Sequence, residues 1–279
     1  MRSFANRAAL LAAAVAVYAS TALAAGPTKS TKKPAAKKTT AKVMAGYKKA
    51  VRNWHATDPE TTQPTDATGR PELAIYSLNT RAKMVMRAAT DRGGFSTREL
   101  DRLSYVLREP SSGNQHPIDP SLVDLVYRIQ THFHAPEIRV VSCYRTPKRS
   151  RSSNHGRGRA IDLIVPGATD EEVARFTREQ GFVGVGVYPT SGFVHVDVRS
   201  RSYFWIDSSA PRHRNRERGI LGDLAKKSDA AAVARGERGA PSLALAGVDS
   251  WLHAQNQDAD QASEEDEDVD PAQSPEPMQ

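Results

Sequence analysis

Two polar clusters interrupt apolar, strand-like sequence and contain the residue types of a metal site. The first cluster is the segment SSNHGRGRAID, which places His155 in a glycine-rich loop and Asp162 in the apolar run that follows. The second cluster is FVHVDV, which contains His195 and Asp197. Imidazole nitrogens and a carboxylate oxygen are common ligands of catalytic zinc, which takes three protein ligands and keeps one position open. The two clusters together are therefore suited to metal-assisted hydrolysis.

The alternation of side chains along a strand supports this interpretation. His195 and Asp197 are two residues apart, so they point to one face of a strand, while the alternating valines point to the other. Asp162 stands between apolar neighbours, where a carboxylate needs a charged partner or a metal to stay ionised. A loop position for His155 and a solvated face for His195 and Asp197 are the alternatives. The presence of all these residues in one chain favours a shared site.

The first cluster also matches a known family pattern. Ser153, His155, Gly158, Ala160 and Asp162 fit the pattern S-x-H-x-x-G-x-A-x-D of the zinc D-alanyl-D-alanine metallopeptidases, which the chain resembles. The segments HPIDPSLVDLVY, VVSCYRTP and GVGVYPTSGFVHVDV are similar to the MepK-like murein endopeptidase branch of that group. The similarity spans about residues 71–207 and leaves both ends of the chain uncovered.

The resemblance implies a zinc enzyme that acts on peptidoglycan stem peptides and has a fold of the hedgehog/D-Ala-D-Ala type. His155, Asp162 and His195 fall on the metal-ligand positions of the family, and Arg145 falls on its substrate-positioning arginine. A guanidinium can hold a carboxylate through two parallel hydrogen bonds or stabilise a developing oxyanion. An ordinary surface arginine is the alternative for Arg145. The chain departs from the family at Cys143, where glycine is usual, and at SYFWID, which replaces an arginine-containing segment.

Asp197 is the candidate catalytic base, and its position leaves two roles open. A carboxylate on the same face as His195 lies close enough to a bound metal to take a proton from water and return it to the leaving amine. The same placement suits a carboxylate that orients a ligand imidazole. The sequence does not decide between the two roles.

The elements around these residues predict an α+β domain with helices packed on a small antiparallel sheet. Capping patterns and apolar periodicity predict helices over residues 97–107, 120–133 and 169–181. Short β-branched or apolar runs predict strands over residues 72–78, 138–142, 160–165, 183–188 and 193–198. The segment PTSG has the length and composition of a hairpin turn between the last two strands.

Composition divides the chain into four segments. Arg2 and Arg7 precede a short apolar run and an Ala-Leu-Ala motif, which predicts a signal peptide over residues 1–24, with an uncleaved anchor as the alternative. A basic disordered linker (25–70), a zinc peptidase domain (71–208) and a disordered tail that is first basic and then acidic (209–279) follow. The chain is therefore expected in the periplasm or cell envelope.

Charge and cysteine content limit the range of partners. The formal net charge is +7 and the isoelectric point is about 9.5, but the basic residues concentrate in the linker and in residues 212–218. Anionic wall polymers or a membrane surface are therefore expected partners, rather than nucleic acid. Cys143 is the only cysteine, so an intramolecular disulfide is excluded, and its apolar setting favours a buried structural thiol over a nucleophile.

Three functions are compatible with these residues. A murein endopeptidase that cuts stem-peptide cross-links is favoured, because all three ligand positions and Arg145 are present. A D-alanyl-D-alanine carboxypeptidase and a non-catalytic wall-binding module are the alternatives. Tyr188 is a further candidate for substrate contact, whereas His116, His132 and His134 are expected to be structural or solvated.

Overall fold

The computed structural model describes residues 43–147, 153–211 and 216–239. In these ranges eight strands form one sheet in the order β2-β1-β3-β4-β6-β5-β7-β8. The strands are β1 (Glu72–Ser77), β2 (Lys83–Arg87), β3 (Ile138–Ser142), β4 (Ala160–Ile164), β5 (Val183–Tyr188), β6 (Phe193–Val198), β7 (Tyr203–Asp207) and β8 (Arg216–Arg218). The helices are α1 (Ala45–His55), α2 (Thr97–Val106), α3 (Pro120–Phe133), α4 (Asp170–Arg178) and α5 (Gly222–Ala234).

The predicted α+β class is confirmed, but the sheet is larger than predicted and is mixed. The central strands β3, β4, β6 and β5 are antiparallel neighbours. The strand β3 lies parallel to β1, and β7 lies parallel to β5. The first parallel pair arises because α2 and α3 form a crossover between β2 and β3, which returns the chain in the direction of β1. A fold of the hedgehog/D-Ala-D-Ala type stays a prediction.

The predicted helix starts are confirmed by their capping contacts. Ser96 and Glu99 form a reciprocal capping box at the start of α2, and Thr169 forms the same arrangement with Glu172 at α4. Asp119 accepts a hydrogen bond from the Ser121 backbone at the start of α3. Each cap satisfies backbone N–H groups that have no partner inside the helix. The sequence therefore fixes where these helices begin.

The main core lies between the sheet and helices α2, α3 and α4. Side chains from β4 and β6 that point to this face are aliphatic and fully buried, and they are Ile161, Leu163, Val194 and Val196. Helical spacing of three and four residues brings the apolar stripe of α3 against the sheet, through Leu122, Leu125, Val126 and Ile129. The alternate residues of β4 and β6, which include Asp162, His195 and Asp197, therefore point to the opposite face.

The helix α1 lies in the segment where the sequence predicts a disordered linker (25–70), and the structure corrects this part of the prediction. The Tyr47 hydroxyl donates to the Ser191 carbonyl at 3.0 Å, and Trp54 packs on an aromatic and aliphatic cluster on the second face of the sheet. Arg139 donates to three carbonyls at the end of α1. These contacts join residues far apart in sequence, so the local composition did not reveal them. Residues 25–42 lie outside the described residues.

The elements β8 and α5 correct the prediction of a disordered tail (209–279) in the same way. The helix α5 buries Ala225, Ser228 and Ala232, and a side chain at Gly181 would place its Cβ only 2.6 Å from the Ala232 Cβ. Small residues therefore let α5 pack closely, and a run of small residues carries little hydrophobic signal in the sequence. Residues 240–279 lie outside the described residues.

The Asp229 carboxylate fixes α5 to the sheet, so Asp229→Ala should destabilise the fold. Asp229 accepts hydrogen bonds from the Phe182 backbone at 2.6 Å, the Ser202 backbone at 2.9 Å and the Ser202 hydroxyl at 2.6 Å. Loss of a charged acceptor costs about 1.5 to 3 kcal/mol, since the donors lose their partner. Thermal melts should show the loss, while Asp223→Ala in the exposed first turn of α5 should cost about 1 kcal/mol or less. Equal melting temperatures for the two variants would contradict this role.

No helix in the described ranges has both the length and the apolar character required to cross a membrane. The predicted signal peptide (1–24) lies outside these ranges.

Candidate metal centre

Two neighbouring strands and one short turn bring the first three candidate residues together. Asp162 of β4 and His195 of β6 are direct partners in an antiparallel pair, and both point away from the main core. His155 begins a single 3-10 turn (His155–Arg157) that ends at Gly158 with φ of 67°. A side chain at Gly158 would also overlap the Pro117 carbonyl. The glycine of the sequence pattern is therefore required both for backbone conformation and for space.

The donor atoms of these three residues converge within 4.8 Å of one another. His195 Nδ1 lies 2.9 Å from Asp162 Oδ1 and 3.2 Å from His155 Nε2. His155 Nε2 lies 3.5 Å from Asp162 Oδ1. All three side chains are at least 98% buried, and such a cluster of polar atoms is costly unless its members are paired or share a cation.

The outer contacts of the two imidazoles show that the cluster fits a cation. His155 Nδ1 lies 2.6 Å from the Cys143 carbonyl, and His195 Nε2 lies 3.0 Å from Asp197 Oδ2. Because a carbonyl and a carboxylate only accept hydrogen bonds, these outer nitrogens carry the imidazole protons. In neutral imidazoles the inner nitrogens then present lone pairs toward the Asp162 carboxylate. Three acceptors that face one another need a shared positive charge, which a metal ion provides.

Asp162 is ionised despite its burial. Burial alone raises its pKa, but positive charge on the His155 imidazole, hydrogen bonds from the His155 and His195 rings and the Arg145 guanidinium outweigh burial and hold the pKa well below its usual range. That charge is a proton on the imidazole pair, which a bound cation would replace. Asp162 Oδ2 has no hydrogen-bond partner in the described part of the chain, although Arg145 Nη2 lies 3.6 Å away. The carboxylate therefore keeps coordinating capacity.

Asp197 lies directly behind His195 and is bound on both oxygens. Its Oδ2 accepts from His195 Nε2, and its Oδ1 accepts from Arg199 Nε at 2.7 Å. Arg199 Nη2 also donates to Oδ2. Burial opposes ionisation of Asp197, but the Arg199 guanidinium and the bond from His195 keep its pKa well below the usual range. Asp197 is therefore a buried, ionised carboxylate that holds the His195 ring in one orientation.

Sequence reasoning missed Arg199 and Gly184, which complete this arrangement. A side chain at Gly184 on the neighbouring strand β5 would overlap both the Asp197 carboxylate and the Arg199 guanidinium. The glycine therefore leaves the space in which this ion pair lies. The alternation of glycine and valine in VGVGVY was the only sequence signal for it, because glycine inside a strand marks a close approach by another group.

Gly184→Ala should consequently disturb the metal centre as well as the fold. Overpacking costs about 1 to 3 kcal/mol, and displacement of Asp197 should weaken metal affinity by about 10-fold or more. Thermal melts and metal titration test both effects. Gly222→Ala is the control, because a Cβ at Gly222 meets no atom within 4 Å. If Gly184→Ala bound metal as tightly as the unsubstituted chain, the ion pair of Asp197 and Arg199 would not need the space at Gly184.

Of the remaining candidate residues, Arg145 lies at the site, whereas Tyr188 and Cys143 are buried in the fold. Arg145 lies at the site with its side chain 13% exposed. Tyr188 is buried, stacks on Phe193 and accepts hydrogen bonds from Trp205 and Arg216, so its contacts are structural. Burial raises the pKa of the Cys143 thiol to about 12, which agrees with a structural thiol rather than a nucleophile.

The three histidines predicted to be structural or solvated lie apart from the cluster. His132 stacks on Phe176 with ring centroids 3.9 Å apart, and His116 stacks on Tyr144 at 5.3 Å. His134 ends α3 in a left-handed conformation. The structural or solvated role predicted for these residues agrees with these positions.

Comparison with known proteins places this site in a family. The family model described as peptidoglycan L,D-endopeptidase MepK matches residues 65–203. The chain belongs to the MepK peptidase family. The probable peptidoglycan L,D-endopeptidase MepK of Haemophilus influenzae is 29% identical over 154 residues, which cover 50% of this chain and 82% of the relative. The peptidoglycan L,D-endopeptidase MepK of Escherichia coli K12 is 29% identical over 153 residues, which cover 50% of this chain and 84% of the relative. No solved structure matches the chain.

The MepK match includes every residue of the candidate centre and excludes three elements in the segments that the sequence predicts to be disordered. Arg145, His155, Asp162, His195 and Asp197 all lie within residues 65–203. The helices α1 and α5 and the strand β8 lie outside this range. This chain therefore adds packed elements on both sides of the region matched by the MepK model.

Proposed function

We propose that this MepK-family chain is a zinc-dependent peptidoglycan endopeptidase that hydrolyses L,D peptide bonds in stem-peptide cross-links. The observation that carries the proposal is the convergence of a carboxylate and two imidazoles. The outer nitrogen of each imidazole is held by a hydrogen bond. The names of the relatives, both peptidoglycan L,D-endopeptidases, support the substrate and the bond. These relatives are matched over more than four fifths of their length.

Three side chains hold the zinc in this proposal. They are His155 through Nε2, His195 through Nδ1 and Asp162 through its carboxylate. Two nitrogens and one oxygen are a usual ligand set for catalytic zinc. When bound, zinc lowers the pKa of a water molecule and polarises a carbonyl group, which is the chemistry that peptide hydrolysis requires.

Asp197 orients His195 rather than serving as the base. Both of its oxygens accept hydrogen bonds from buried donors, and the Arg199 guanidinium stabilises its charged form. A carboxylate in this position keeps the imidazole proton on Nε2, so that the Nδ1 lone pair faces the other ligands. Of the two roles compatible with the sequence, these contacts favour the orienting one, and proton transfer falls to another group.

Arg145 positions the substrate. Its side chain extends from the loop after β3, is partly exposed, and has Nη2 3.6 Å from Asp162 Oδ2. A guanidinium at that distance from a metal ligand can bind a stem-peptide carboxylate or the oxyanion that develops during hydrolysis. Thr146, the next residue, is fixed by two hydrogen bonds to Glu109, which holds this loop in place.

The substrate implies a location in the periplasm or cell envelope, in agreement with the predicted signal peptide. Lys48, Lys49 and Arg52 are exposed on the outer side of α1, and they extend the basic character of the preceding linker. An anionic wall polymer or membrane surface is the partner that such charge favours. The peptidase domain that we propose extends the predicted range 71–208 by the packed elements α1, β8 and α5.

Digestion of purified peptidoglycan tests the proposed function. An endopeptidase converts cross-linked muropeptide dimers into monomers, which mass spectrometry of the soluble products detects. Release of free D-alanine without loss of dimers would instead indicate a carboxypeptidase. Binding to peptidoglycan without any new product would indicate a wall-binding module.

A further inference from the structure

A polar cavity lies apart from the metal centre. It has a volume of about 230 Å³ and lies between α3, the turn before β5, the end of β6 and the segment after α5. Val183 and Val198, which line it, belong to the main core on the helix-covered face of the sheet. The metal centre lies on the opposite face, so the cavity is a separate site.

Five charged residues line this cavity, and the positive charges exceed the negative ones. The cationic residues are Arg92, Arg128 and Arg238, and the acidic residues are Asp124 and Glu237. Both acids are already engaged. Glu237 Oε1 accepts from Arg92 at 2.7 Å, and Asp124 Oδ1 accepts from the Gly94 backbone at 2.7 Å.

Arg128 lines the cavity and has a buried donor nitrogen. Its Nε is buried and has no hydrogen-bond partner within the described ranges. Burial and the nearby Arg92 guanidinium lower the pKa of Arg128, while the Glu237 and Asp124 carboxylates oppose this shift. Arginine nevertheless stays protonated in proteins, and a buried donor without an acceptor is costly. An anion in the cavity would remove this cost.

We propose that this cavity binds one oxyanion group, a carboxylate or a phosphate, and that Arg128 is its principal ligand. A guanidinium matches the geometry of both groups and can donate two parallel hydrogen bonds to either. Arg92 and Arg238 add positive charge at the rim, while Leu125 and the valines limit the space to a small group. The proposal does not depend on the metal centre.

Titration of the mature chain with inorganic phosphate and, separately, with acetate tests the cavity. Arg128→Met should weaken binding of the preferred anion by about 10- to 100-fold, the equivalent of a hydrogen bond to a charged group. Asp124→Asn should strengthen binding by about 2- to 5-fold, because it removes a like charge from the cavity. Calorimetry measures both changes.

Arg178→Met is the matched control. The Arg178 Nε is also buried and without a hydrogen-bond partner in the described residues, but its guanidinium lies over the Phe204 ring at 5.5 Å and does not line the cavity. Arg178→Met should bind both anions as the unsubstituted chain does. Anions bound at the metal centre would appear equally in both arginine variants.

The two anions distinguish the source of the natural ligand. Tighter binding of phosphate would indicate a phosphorylated polymer or lipid headgroup, and tighter binding of acetate would indicate a carboxylate. The proposal is overturned if the unsubstituted chain binds neither anion at millimolar concentration. Equal affinities in Arg128→Met and Arg178→Met would overturn it as well.

Discussion

His155→Ala and His195→Ala should each reduce the zinc content of the purified chain from about one ion per chain to nearly none. A catalytic zinc site takes three protein ligands, and each substitution removes one imidazole from the cluster formed with Asp162. Peptidoglycan hydrolysis should be lost together with the metal. Elemental analysis after removal of free metal measures the occupancy, and circular dichroism verifies that the variants are folded.

His132→Ala is the control for these two substitutions. His132 stacks on Phe176 at the end of α3 and takes no part in the cluster, so this variant should keep its zinc and its activity. Full zinc occupancy in folded His155→Ala or His195→Ala would show that the cluster is not the metal site.

Asp197→Asn should weaken zinc affinity by about 10- to 100-fold and should regain much of its activity when zinc is in excess. The carboxamide cannot keep the ion pair with Arg199, and its NH2 group can face His195 Nε2 in place of an acceptor. The orientation of His195 is then less well defined, which is the usual consequence of losing a carboxylate behind a ligand imidazole. Competition with a chelator measures affinity, and turnover is measured at saturating zinc.

A catalytic base would give a different pattern. Zinc would stay bound, and turnover at saturating zinc would fall by about 10²- to 10⁴-fold. Asp207→Asn is the matched control, because Asp207 is a buried carboxylate near an arginine, Arg216 at 3.6 Å, and hydrogen-bonds to Ser209. Its variant should keep normal zinc affinity. A large loss of turnover with zinc retained in Asp197→Asn would return Asp197 to the role of base.

Short sequence patterns predicted most of the strands and helices around the candidate metal centre. Alternation in FVHVDV placed His195 and Asp197 on one face, and the PTSG segment predicted the hairpin of β5 and β6. Capping residues fixed the starts of α2, α3 and α4. These features are decided within a few residues of chain, so a single sequence contains them.

Contacts between distant segments could not be predicted in this way. The helix α1 has its apolar residues spread among lysines and arginines, and it is stabilised by the β5–β6 turn and Arg139. The small residues of α5 pack because Gly181 leaves space for Ala232. The composition of each segment does not show the distant residues that it contacts. The sequence therefore predicted disorder for both segments.

The groups that hydrogen-bond to the candidate ligands were predicted only in part. Asp197 was recognised because it shares a face with His195, but the pairing of Asp197 with Arg199 depends on the space left by Gly184 on another strand. The Cys143 backbone carbonyl accepts from His155, and a backbone contact of this kind leaves no mark on residue identity. Residue types therefore indicated the candidate ligands, whereas the register of the sheet showed which groups contact them from behind.

Hydrolysis of a defined muropeptide dimer joined by an L,D cross-link tests the central claim most directly. The mature chain is assayed as purified, after removal of metal by a chelator, and after restoration with zinc. Our account predicts conversion of the dimer to monomers by the purified chain, loss of conversion after chelation, and recovery with about one zinc per chain. An intact dimer in all three samples, or cleavage that persists after complete metal removal, would contradict a zinc-dependent L,D-endopeptidase.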